Sequence, residues 1–215
     1  DEEPISYSFN IDQELKKSAR QKAYDELKTS KFWLLFYVGI FRISLTCFYI
    51  DNVKIIGYDI VRDDQLITRV YSIGSFFAML GAAFAGTIVE KFGLFNCIAW
   101  SLVYNLVIEA LGTTILKSSP YLFLTLLVAS RVHVNFNFQL SNITLFSCFD
   151  PDIALQLNKI YEIHGLIANI VMMFINQYLY VDGIITYAFG TYFVLDALAL
   201  FATIKYLRSE LTSAD

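Results

Sequence analysis

The sequence predicts an all-α membrane protein, a bundle of six transmembrane helices preceded by an amphipathic surface helix. Composition is the first reason: of 215 residues, 56% are hydrophobic and 17% charged, where soluble domains carry about 25% charged residues. The second is arrangement, because the apolar residues gather in six runs, each near the ~20 residues that cross ~30 Å of hydrocarbon. The third is punctuation by short polar links bearing turn and cap residues.

The runs extend over Lys31–Ile50, Val70–Val89, Leu94–Leu116, Tyr121–Cys148, Ile153–Tyr180 and Ile184–Leu207. Glu90-Lys91-Phe92-Gly93 follows the second, Lys117-Ser118-Ser119-Pro120 the third, and Asp150-Pro151-Asp152 precedes the fifth. In that last link Asp150 is placed to cap the helix, with Pro151 in its first turn. Residues 1–30 form a polar segment, 31–208 the bundle and 209–215 a polar tail.

Within the first segment Ile11, Leu15, Ala19, Ala23 and Leu27 recur every four residues among charged neighbours. Asn10 is placed to N-cap this helix and Gln13 to complete the capping box. Its apolar face suits the membrane surface or a protein partner equally. The acidic start lacks the basic-then-apolar pattern of a signal peptide.

Charge sets the orientation. Lys16, Lys17, Arg20, Lys22, Lys28, Lys31, Lys91, Lys205 and Arg208 fall on one side, against Lys54, Arg62, Arg69 and Lys117 on the other. The positive-inside rule then places both termini in the cytoplasm or an equivalent matrix.

The polar residues inside the runs are the candidate site. Span four reads Arg131-Val-His133-Val-Asn135-Phe-Asn137-Phe-Gln139-Leu-Ser141, an alternation that suits a strand. A lone strand leaves its backbone unsatisfied in hydrocarbon, so a helix is expected. As a helix it carries Arg131, Asn135, Gln139 and Asn142 on one face, with His133, Asn137 and Thr144 nearly opposite. Neither face suits lipid, so this helix should be central.

At about 1.5 Å per residue, Arg42, Arg131, Glu162 and Asp196 all lie roughly halfway across. Isolated charges there cost at least ~2.5–3.5 kcal/mol, so two cations and two anions at one level suggest buried ion pairs or a substrate or proton site. Span five adds Asn158, Glu162, Gly165, Asn169 and Asn176 at helical spacing, with His164 off that face.

Much is excluded or unsupported. The net charge of -4 comes without a basic stripe, so nucleic acid is not an expected partner. Cys47, Cys97 and Cys148 lack metal spacing and lie in or at the ends of apolar runs, where burial in hydrocarbon argues against disulfides, and two histidines leave little for a metal site. No nucleophile–base set or phosphate loop stands out; neither enzymatic activity nor a cofactor is expected.

Three stretches give a resemblance. Gly86-x-x-x-Glu90-Lys91-x-Gly93, Thr29-Ser30-Lys31-Phe32-Trp33-Leu34-Leu35-Phe36, and Asp51-Asn-Val-Lys54-Ile-Ile-Gly57 with Asp63-Asp64-Gln65 are similar to parts of major facilitator superfamily transporters. The layout resembles their C-terminal six-helix half, in the oxalate/formate or monocarboxylate branch. The resemblance implies that the glycines of the first motif allow close helix approach and that its Glu-Lys pair locks a helix end.

The chain also departs from that family. Ala78–Ala85 lacks the Asn and Arg common before the glycine loop, Gly and Pro number only 10 and 3, and alternating access needs two repeats. These departures favour a structural or accessory subunit of a larger membrane complex, with an organelle inner membrane as its setting. The expected partners are the bilayer and other membrane subunits. The alternative is half of a secondary transporter for a small organic anion such as a monocarboxylate, with Arg42 and Arg131 on the carboxylate.

Overall fold

A computed structural model describes residues 18–112, 119–163, 165–167, 170 and 184–209. Among them all regular structure is helical. The order is α1 (18–26), α2 (Ser30–Asp51), α3 (Val53–Val61), α4 (Asp64–Ala83), α5 (Ala85–Phe92), α6 (Leu94–Gly112), α7 (Pro120–Cys148), α8 (Pro151–Tyr161) and α9 (Ile184–Ala202), which runs into a π-helical segment, Thr203–Leu207.

Among the described residues three stretches are long and apolar enough to cross a membrane: Asp64–Ala83, Leu94–Leu111 and Gly190–Leu207. They fit an integral membrane protein. The sequence led us to expect six such spans. Helices α2 and α7 have the length, at 22 and 29 residues, and the polar series of α7 dilutes its apolarity. The span expected over Ile153–Tyr180 is described only in part, and His164, Asn169 and Asn176 lie outside the described residues. So do Asn10, Ile11, Gln13 and Leu15.

Two boundaries differ from expectation. The stretch expected as a loop after Ile50 forms α3, because Val53 and Ile56 bury one helical face against Ile67 and Phe123. Gly57 lies against the Phe123 ring, where a Cβ would come within 2.7 Å. Arg62 then takes a left-handed φ of 54°, and Asp63 accepts a hydrogen bond from Leu66 N at 3.0 Å to start α4 six residues before Val70. At the other boundary Asp150 makes no side-chain cap bond, leaving Pro151 to define the first turn of α8.

Other helix ends follow from their residues. Ser119 caps α7 through Leu122 N at 3.3 Å. At the opposite end Lys31 Nζ donates to Cys148 O at 2.9 Å, a cation on the negative end of the helix dipole. The described part of the amphipathic segment docks on the bundle itself: Ala23 is buried in the core and Leu27 packs against it.

Helix α7 is central, packing against α2, α3, α4, α5, α6 and α8. Its closest partner is α4, through Gly74, Ala78 and Gly81. A Cβ on Gly81 would sit 2.8 Å from Val132 Cγ1, and one on Gly74 3.2 Å from Arg131 Cγ. Small residues bring backbones together where lipid offers no hydrophobic drive between helices.

The core has two apolar clusters. One gathers Phe32, Leu35, Ile98, Leu102, Leu140, Leu145, Leu157 and Tyr161; the other gathers Val53, Ile56, Ile67, Ile108, Phe123, Leu127 and Tyr192. Along α6, α7 and α9 these clusters occupy opposite ends. Between them lie buried Arg42, Asn105, Asn137 and Asp196.

Candidate functional site

The site is a polar layer through the middle of the bundle. Helix α6 presents Ser101, Asn105 and Glu109 four residues apart; α7 answers with His133, Asn137 and Ser141 at the same spacing. The helices meet antiparallel, so Ser101 Oγ donates to Asn137 Oδ1 at 2.6 Å while Asn105 Oδ1 lies 3.2 Å from His133 Nε2. Asn137 Nδ2 is 2.9 Å from the same Nε2, and the Tyr104 ring lies against the imidazole with centroids 4.0 Å apart.

Helix α2 supplies the charge. Arg42 is 1% exposed; its guanidinium donates to Ser141 Oγ and, at 3.4 Å, to Asn137 O. Its backbone carbonyl accepts from Asn105 Nδ2 at 3.1 Å and from Asn137 Nδ2 at 3.3 Å. Among the described residues Arg42 Nε has no hydrogen-bond partner.

Helix α9 supplies an acid where the sequence reading sought one, with a different neighbour. Asp196 is fully buried and lies beside Glu109 and Asn105. The two carboxyl groups are within range of each other, yet no oxygen of either meets hydrogen-bond geometry.

The expected pairing of two arginines with Glu162 and Asp196 does not form among the described residues. Arg131 packs along Gly74 on the α4 side, donates to Ser75 Oγ at 3.0 Å and stacks over the Tyr71 ring at 4.5 Å. Glu162 is exposed and accepts from Asn158 Nδ2 at 2.8 Å. Gln139 is also exposed and Asn135 half-buried. Of the sequence candidates, Arg42, His133 and Asp196 therefore meet in the layer, while Arg131, Asn135, Gln139 and Glu162 lie outside it.

The glycine-loop motif falls at the α5–α6 turn. Gly93 occupies φ 82° there, which is why a glycine suits it. Gly86 faces open space, and Glu90 and Lys91 are exposed with no ion pair between them among the described residues.

Sequence reasoning singled out neither Glu109 nor the Ser101/Asn105 stripe, although the i, i+4, i+8 spacing was the available signal. Among the described residues no group of three His, Cys, Asp or Glu side chains is set to hold a metal.

The class these features define is a helical protein with membrane-compatible spans and an internal polar layer. Comparison with protein-family models, curated proteins and solved structures gives no match.

Proposed function

We propose that this chain is a structural or accessory subunit of a larger membrane assembly, built on a six-span bundle similar to one half of a major facilitator transporter. Both ends would lie on the positively charged side, and an organelle inner membrane is the proposed setting. The observation that carries the reading is the exposure of Gln139 and Glu162. Gln139 lies about 28 Å along α7 and Glu162 about 17 Å from the start of α8, counted at 1.5 Å per residue. In the six-span arrangement both fall inside hydrocarbon, where a carboxylate must face protein or water. A neighbouring subunit supplies that cover.

The test is the native size of the protein extracted in a mild detergent. A species well above the 24.6 kDa chain in its micelle, reduced by Glu162→Leu paired with Gln139→Leu, is expected. A chain that migrates alone from native membranes refutes the reading.

The second reading, half of a transporter for a small organic anion, is favoured by Arg131, half-buried with Nε unbonded. Carboxylate uptake by reconstituted protein, lost in Arg131→Ala, supports it; uptake unchanged in that variant removes the site.

A further inference from the structure

Among the described residues both hydrogen-bond contacts of His133 are at Nε2, and the ring is half-buried. It lines a groove of about 320 Å³ between α5, α6 and α7. Ile88, Phe92, Trp100 and Phe136 form its walls, with Ser101 and His133 as its polar residues. Apolar walls with a few placed polar groups, at some 300 Å³ or more, are the usual form of a small-molecule site.

The hydrogen bonds define what Nδ1 offers. Ser101 donates to Asn137 Oδ1, which leaves Asn137 Nδ2 as the group facing Nε2 at 2.9 Å. Nε2 also faces Asn105 Oδ1 at 3.2 Å, an acceptor; the shorter amide contact at 2.9 Å takes the Nε2 lone pair, which puts the neutral ring's proton on Nδ1. The groove thus presents one N–H donor on an apolar wall. Depth narrows the ligand further. His133 lies about 20 Å from either end of α7, near the bilayer midplane and about 15 Å below the level where phospholipid headgroups begin.

The geometry points to a binding site for a neutral, lipid-soluble carbonyl compound, of the quinone or aryl ketone type, whose oxygen accepts from His133 Nδ1 while its rings fill the groove. This goes beyond the assembly role proposed above and does not depend on it.

Trp100 provides the readout. The chain has 2 tryptophans, so Trp33→Phe leaves Trp100, which is 71% exposed in the groove wall. That variant, in its native assembly in lipid nanodiscs, is titrated with a decyl-substituted benzoquinone, a quencher of indole fluorescence. Saturable quenching is expected, with apparent affinity about tenfold weaker in His133→Leu, the loss of one useful hydrogen bond. Because His133→Leu disturbs the layer, Ile88→Phe is the second variant: it fills the groove without touching the histidine and should abolish saturation. Quenching that rises linearly with quinone and is equal in all variants reports partition into lipid and overturns the proposal. Absence of any saturable response to the benzoquinone overturns it as well.

Discussion

Asn137 is held on three sides, by Ser101, by the Arg42 carbonyl and by the His133 ring. In Asn137→Leu those partners are left unsatisfied at the centre of the bundle, which costs about 1–3 kcal/mol per buried group. A fall in Tm in detergent by several degrees is expected, against little change for Asn135→Leu, whose side chain makes no hydrogen bond among the described residues. Asp196 behaves differently. Among the described residues its oxygens accept no hydrogen bond of good geometry and its neighbour is another acid, so Asp196→Asn, which brings a donor and removes a like charge, should keep or raise Tm. A loss equal to that of Asn137→Leu would falsify this account of the pair. Arg42→Met removes a buried cation that has no acid against it among the described residues, and apolar replacement of buried charge is often neutral or stabilising. Unchanged Tm is expected there, provided Ser141 is left with its bond to Asn137 O, 2.9 Å long.

At the scale of elements, the α4–α7 crossing is the feature most sensitive to size. Gly81→Leu would drive a side chain into the Val132 backbone, whose oxygen already lies 2.9 Å from the Cβ position. This change should destabilise by more than 1 kcal/mol, the lower range for overpacking. Gly86→Ala, on the same stretch but facing open space, should be silent in the same thermal-shift assay.

The elements also show what the sequence made legible. Helix α7 was readable as central and polar on two faces, because hydrocarbon forbids the strand its alternation suggests. Its His133/Asn137 face does form the layer. The ion pairs expected from equal depth were not readable, because depth says nothing about which side of a helix a charge occupies. Arg131 and Arg42 turn to different neighbours. Glu109 escaped for a related reason: at about 22 Å from Leu94 it lies past the middle of the expected span, and only the crossing with α9 brings it to Asp196. The short α3 lies in the link expected between the first two spans: at 9 residues it is too short to cross a bilayer, so it carries no span signal.

For the whole molecule, two kinds of exposed surface need different surroundings. The outer faces of α4 and α9 carry Ile73, Phe76, Phe77, Phe193, Val194 and Leu198, which suit lipid. Asp152, Lys159 and Glu162 on the α8 side and Gln139 on α7 do not, wherever they lie within hydrocarbon. One flank thus suits lipid, while the other, where Leu155, Ile163 and Leu166 are exposed beside these polar groups, suits a protein neighbour that covers charge and apolar surface together. Spin labels on Gln139→Cys and Glu162→Cys, each in a background without the native cysteines, test this directly by their collision rates with oxygen and with a water-soluble nickel chelate. In the native assembly both labels should be shielded from both reagents, and become accessible once the chain is isolated. Labels that collide freely with oxygen in the native membrane, as a lipid-facing site on Phe76 would, contradict the claim that this face is covered by protein.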